Sequence, residues 1–188
     1  MTNTDQGADV VDVLTTDHRE VRELIGQIRS TPDPARRRDL ADTVIAELVR
    51  HSVAEEMWVY PAMRDHVPNG AEAVEHDTSE HKELERTMKE LEGVDAGEPR
   101  FMELLGQLEV VLDDHIRDEE GQQFPQLRAH LPREQLVELA GKVETSKKLA
   151  PTRPHPAAPN AELFHKLVGP GVGLVDRLRD KLSGRTTS

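Results

Sequence analysis

His115-Ile116-Arg117-Asp118-Glu119-Glu120, followed by Phe124-Pro125, has a copy upstream in the same chain. His51, Glu55, Glu56, Tyr60, Pro61, Arg64, His66 and Pro68 recur 64 positions on as His115, Glu119, Glu120, Phe124, Pro125, Arg128, His130 and Pro132. Ahead of each copy, Asp17-His18-Arg19-Glu20-Val21 matches Glu80-His81-Lys82-Glu83-Leu84 at an offset of 63. The chain therefore reads as two similar helical hairpins, each offering a lone histidine and then a His-x-x-x-Glu.

Apolar periodicity supports that reading outward from the motif. Val11, Leu14, Val21, Leu24 (or Ile25) and Ile28 predict a first helix from about Asp9, an acceptable N-cap, to about Arg29, with His18 inside the stripe. Thr31-Pro32-Asp33-Pro34 breaks it, and Asp33-Pro34 opens a second helix carrying Val44, Leu48, His51, Glu55, Trp58 and Ala62 on one face. Pro61 is expected to kink this helix, because proline removes a ladder hydrogen bond and crowds the preceding turn. A third helix, from about Ala71 to Leu91, aligns Val74, His81, Leu84, Met88 and Leu91. The fourth starts at Glu98-Pro99, aligns Phe101, Leu104 (or Leu105), Leu108, Leu112, His115 and Glu119, and ends at His130-Leu131-Pro132. A shorter fifth helix, from about Arg133 to Lys148, buries Leu136, Leu139, Ala140 and Val143. Four prolines between residues 150 and 159 then rule out further helix there. The expected layout is residues 1–149 as an all-α, antiparallel up-down four-helix bundle with a short fifth helix. Residues 150–188 form a Pro-rich extended tail, with Leu174–Leu182 as a small amphipathic helix.

Composition narrows the function classes. The chain has 188 residues, 36% hydrophobic and only 3% aromatic, so its core is aliphatic. A formal net charge of −12 argues against binding nucleic-acid phosphates or an anionic membrane surface. Cysteine is absent, which excludes disulfides and thiolate metal sites and fits a reducing cytoplasm. No apolar run has the length of a membrane span, and the polar start Met1-Thr2-Asn3-Thr4-Asp5 is unlike a signal peptide.

The repeated motif has the chemistry of a metal centre. Residues four apart on a helix share a face, so His51/Glu55 and His115/Glu119 each direct two side chains one way. Burying four imidazoles and two carboxylates without partners costs on the order of several kcal/mol per charge, and a cation removes that cost. Histidine and carboxylate donors without thiolates suit iron, manganese or zinc. Six protein ligands exceed the need of one tetrahedral zinc and fit two metals bridged by the two glutamates. Glu56 and Glu120 are read as solvated neighbours of the ligands or as residues that support them from behind, and His66 and His130 as residues at helix C-termini. His76 is expected to be exposed, and His155 and His165 to be solvated in the tail. Ferritin-like bundles use Glu-x-x-His on two helices; here that spacing occurs only at Glu162/His165, in the tail. No His-Glu-x-x-His protease motif is present.

Taken together, His18, His51-x-x-x-Glu55, His81 and His115-x-x-x-Glu119, with Glu-Glu and aromatic-Pro following each pair, resemble the hemerythrin-like (HHE cation-binding) family over about residues 9 to 148. The resemblance implies a bundle around a non-haem di-iron centre. His18, His51, His81 and His115 would be terminal ligands to two iron ions, with Glu55 and Glu119 as bridges; manganese or zinc is the less favoured filling. Oxygen-carrying members have a second histidine four residues after the one matched by His81, where this chain has Glu85. They also end in His-x-x-x-x-Asp, where this chain has His115-x-x-x-Glu119. These departures favour chemistry with peroxide, dioxygen or nitric oxide over plain oxygen transport, with Glu85 either a further metal ligand or a solvent-facing partner of Lys82 or Lys89. The alternative is an iron or oxygen sensor that contacts a protein partner through its tail.

Overall fold

A computed structural model describes residues 7–155 and Asp180. Helix α1 spans Val10–Ser30 and is capped by Asp9, whose carboxylate accepts from the Asp12 amide at 3.0 Å while the Asp12 carboxylate accepts from the Asp9 amide. Helix α2 (Pro34–Ala54) begins on the Asp33 cap and leads through a π turn, Glu55–Val59, into α3 (Tyr60–His66). Helix α4 spans Gly70–Gly93. Helix α5 (Pro99–Asp118) passes through a second π turn, Glu119–Gln123, into α6 (Phe124–His130). Helix α7 (Arg133–Leu149) lies against α1 and α2. The turn before α4 is tight: Asn69 is left-handed at φ 57°, and a Cβ on Gly70 would meet the Met63 carbonyl oxygen at 2.0 Å.

Two apolar compartments establish the up-down order. One gathers Ile28, Leu40, Leu91 and Phe101; the other gathers Val10, Leu14, Met63, Val74 and Leu127. Helices α1 and α4 run from the second compartment to the first, and α2 and α5 run back. Each crosses the boundary at a histidine: His18, His51, His81 or His115. The aliphatic core predicted from composition is thus split into two by a polar layer. No helix among the described residues is long and apolar enough to cross a membrane.

Pro61, expected to kink its helix, follows a π turn, and Pro125 does the same. Tyr60 and Phe124 reach back five residues, their amides donating to the carbonyls of Glu55 and Glu119, immediately before Pro61 and Pro125. The extra residue widens the ladder where the next residue has no N–H to contribute. It also changes which side chains face inward. Tyr60 lies nine residues beyond His51, about two and a half turns of an α-helix, and an unbroken helix would turn it outward. The π turn rotates it back. Val59, Tyr60 and Met63 are buried in place of the predicted Trp58 and Ala62, and Gln123, Phe124 and Leu127 follow the same rule in the second copy.

Smaller differences have similarly local causes. On α1 the core takes Ile25, one of the two positions the periodicity leaves open, and on α7 Leu139 is only half-buried while Ser146 is buried. Beyond α7 the chain is non-helical through His155, but Ala150, Thr152 and Pro154 are buried. Arg153 binds Glu92 of α4 at 2.8 Å, and Thr152 and Arg153 bind Asp180. Apart from Asp180, the helix expected at Leu174–Leu182 lies outside the described residues, as does His165.

Candidate metal centre

The six residues marked by the repeat come together at the boundary between the two compartments. Nε2 of His18 and Nε2 of His51 are 3.1 Å apart, and Nε2 of His81 and Nε2 of His115 are 3.3 Å apart. Between the two pairs lie the carboxylates of Glu55 and Glu119, both 0% exposed. Glu55 spans the pairs, with Oε1 3.2 Å from His51 Nε2 and Oε2 3.4 Å from His81 Nε2. Glu119 Oε2 is 3.3 Å from His18 Nε2 and 3.4 Å from His115 Nε2. One cluster of donor atoms is His18, His51, Glu55 and Glu119; a second is Glu55, His81 and His115.

The outward nitrogens explain why the inner ones converge. His18 Nδ1 meets Glu120 at 2.8 Å, His51 Nδ1 meets Asp17 at 3.1 Å, His81 Nδ1 meets Glu56 at 3.0 Å and His115 Nδ1 meets Glu80 at 3.0 Å. A carboxylate can only accept here, so each Nδ1 donates and each Nε2 is left facing the interior. The partners obey the internal repeat: Asp17 and Glu80 precede the lone histidines, and Glu56 and Glu120 follow Glu55 and Glu119. Glu56 and Glu120 are therefore orienting partners of histidines, the second of the two roles their sequence positions allow. Asp17 and Glu80 do not stand out in the sequence as site residues, although the repeat that pairs Asp17-His18 with Glu80-His81 carries the signal. Asp17 is also bound by Lys147 at 2.6 Å, which ties α7 to the centre.

Electrostatics follow from this crowding. Burial works against charge on His51, but the carboxylates of Glu55 and Asp17 outweigh it and hold its pKa well above the usual imidazole range. The same opposition, with Glu55 and Glu56 prevailing over burial, carries His81 up to about 10. Burial alone would raise Glu55, yet His51 and His81 hold it well below the carboxylate range.

The donor set fits a resident metal. None of the four oxygens of Glu55 and Glu119 has an aligned hydrogen-bond donor, although imidazole nitrogens lie 3.2–3.4 Å from three of them. Buried carboxylates in that condition need a cation. Nitrogen and oxygen donors without sulfur suit a first-row metal of intermediate hardness.

The remaining candidates separate from the centre. His76 is 57% exposed and faces Glu80 and Asp118 at the rim. His66 and His130 are exposed at helix ends, His130 Nδ1 donating to the Gln126 carbonyl at 2.9 Å. Glu85 departs from its solvent-facing sequence reading. It is 4% exposed, so it does not face solvent with Lys82 or Lys89, and it belongs to neither donor cluster. Burial and then the charge of Glu56 push its pKa up to about 7, and His155, expected to be solvated, is half-buried close enough to oppose the shift. Two aromatic rings complete the walls: Phe124 stacks on His18 at 5.8 Å between centroids, and Tyr60 stacks on His81 with its hydroxyl 3.2 Å from Nε2.

Removing an orienting carboxylate should weaken metal binding without emptying the centre. Asp17→Asn, Glu56→Gln, Glu80→Gln and Glu120→Gln are each expected to lower metal affinity by about 10–100-fold, measured by competition with a chelator. Unchanged affinity in all four would mean that packing alone orients the imidazoles.

Comparison with known proteins agrees with the fold and with a cation-binding domain. A sequence model of the hemerythrin HHE cation binding domain matches residues 9–127. An uncharacterised hemerythrin-like protein of Schizosaccharomyces pombe is 32% identical over 174 residues, covering 92% of this chain and 86% of the relative. A DNA nickase of Nostoc sp. is 27% identical over 142 residues; the match covers 76% of this chain but 40% of the nickase. The crystal structure of a hemerythrin HHE cation binding domain-containing protein from Mycobacterium kansasii superposes with a TM-score of 0.67 at 20% identity, covering 91% of this chain and 99% of that one. With the repeated histidine–glutamate motifs inside the matched residues, this chain belongs to the hemerythrin HHE cation-binding domain family.

Proposed function

We propose that the protein is a non-haem di-iron protein that binds or reacts with a small oxidant or diatomic ligand: peroxide, dioxygen or nitric oxide. The observation that carries this reading is the bridging disposition of Glu55, one oxygen turned to each histidine pair. His18 and His51 would hold one iron and His81 and His115 the other, with Glu55 and Glu119 shared between them. Iron is preferred over zinc because zinc has no redox chemistry to bring to an oxidant, while nitrogen and oxygen donors without sulfur suit iron. When bound, iron supplies the electron exchange that none of these side chains carries.

The protein's own contribution is position and exclusion. Asp17, Glu56, Glu80 and Glu120 hold the imidazoles in place, and the two apolar compartments keep bulk water from both ends of the polar layer. The DNA in the nickase relative's name does not enter this reading, since a net charge of −12 opposes a polyanion. Its setting in this reading is the cytoplasm, on the cysteine-free composition.

Metal analysis and an optical spectrum of the purified chain test the proposal. About two iron ions per chain are expected, with a spectrum that changes on adding peroxide, dioxygen or nitric oxide. A chain that retains no transition metal after reconstitution with iron ends this reading.

A further inference from the structure

The two halves of the centre are related by the internal repeat, and beside one half the relation fails. Leu14, one turn before His18, and Val59, at the end of the first π turn, are wholly buried and apolar. Their repeat mates are Asp77, one turn before His81, and Gln123, at the end of the second π turn. These are also buried, at 0% and 8% exposure. Gln123 Nε2 donates to Asp77 Oδ1 at 2.9 Å. Asp77 Oδ2 and Gln123 Oε1 have no hydrogen-bond partner. Asp77 is next to the metal centre, since its carboxylate, Glu80 and His115 bring donor atoms within 4.8 Å of one another.

Packing does not account for this pair, because the other half closes the same wall with leucine and valine. Buried polar atoms left without partners are costly, so two neighbouring ones point to a third molecule. Turning the Gln123 amide over, or placing a proton on Asp77, changes which atoms are left over. Each side chain still has one. A molecule with O–H groups both donates and accepts, and it suits either arrangement. Dioxygen and nitric oxide have no hydrogen to donate.

We propose that Asp77 and Gln123 form a subsite for a small hydroxylic ligand, hydrogen peroxide, on the His81/His115 side of the centre, with water taking its place in its absence. This rests on the di-iron reading and narrows it, because of the three ligands only peroxide donates hydrogen bonds. Asp77 and Gln123 act as positioning and specificity residues.

Two measurements test the subsite. In the metal-free full chain, the Gln123 side-chain amide is expected to show a nuclear Overhauser contact to a long-lived water; its absence overturns the proposal. In the iron-loaded chain, Asp77→Leu/Gln123→Val, which copies the apolar pair of the other half, is expected to keep its iron. The hydrogen peroxide concentration needed for half-maximal spectral response should rise about tenfold, with nitric oxide binding changed by less than about twofold. An unchanged peroxide response, or equal weakening toward both ligands, overturns the subsite. A parent protein that holds iron but responds to none of the three ligands overturns the functional reading instead, and the water contact to Gln123 still decides the subsite.

Discussion

Glu55→Ala and Glu119→Ala are each expected to strip the centre of metal. Glu55 contributes an oxygen to each histidine pair, and Glu119 Oε2 lies between His18 and His115, so one truncation removes a donor from both halves at once. The loss should exceed the about 10–100-fold expected for an orienting carboxylate, and bound iron should fall below detection under mild chelation. Glu55→Ala also has a consequence without metal, because it takes from buried His51 and His81 one of the two carboxylates that face each, leaving only Asp17 and Glu56. Breaking such a buried pair costs about 3–5 kcal/mol. His81 is raised from 6.5 to about 10, so its contribution is complete below pH 6.5 and is lost as pH rises through about 10. Glu55 is lowered from 4.5, so its contribution is present above that pH and is lost on acidification. The stability gap between parent and Glu55→Ala in the metal-free state should therefore be widest between pH 4.5 and 6.5 and narrow toward pH 10. Denaturant melts at a series of pH values measure it; a gap that widens with alkalinity contradicts the assignment.

The second large effect separates two histidines five residues apart on α4. His81→Ala should cost most of the bound iron, whereas His76→Ala should leave iron content and spectrum as in the parent. His81 is buried, with Nε2 facing His115 and Glu55 and Nδ1 held by Glu56. His76 is exposed at the rim, 3.4 Å from Glu80 and 3.7 Å from Asp118, contacts of the kind that contribute little at a surface. Its link to Glu80 reaches His115 only indirectly. Iron content by elemental analysis, beside a melting curve to show that both variants fold, decides it. Normal iron in His81→Ala would move the α4 ligand elsewhere.

Much of this centre is legible in the amino-acid sequence. The helices can be placed because apolar residues at steps of three and four mark one face. The ligand candidates stand out because charged and imidazole groups interrupt that face twice at matching positions. Glu55 and Glu119 are legible as well, since a residue four after a histidine shares its direction. The orienting carboxylates are half-legible: Asp17 and Glu80 repeat as faithfully as the histidines, but a glutamate or aspartate beside a ligand looks the same whether it faces solvent or a neighbouring helix.

What the sequence determined by itself is what periodicity encodes: an all-helical chain, its two hairpins, and six residues that one buried layer must hold. The tertiary structure decided whatever depends on rotation about a helix axis or on a partner from another helix. The π turns before Pro61 and Pro125 replaced Trp58 and Ala62 with Val59, Tyr60 and Met63 in the core, because one extra residue in a turn rotates everything after it. Glu85, open in sequence to solvent or metal, proved buried at 4% exposure but outside both donor clusters. The pairing of Asp77 with Gln123 joins residues 46 positions apart and follows only from α4 lying beside α5. Spacing along one helix fixes which side chains point together; what they point at is set by the packing of the other helices.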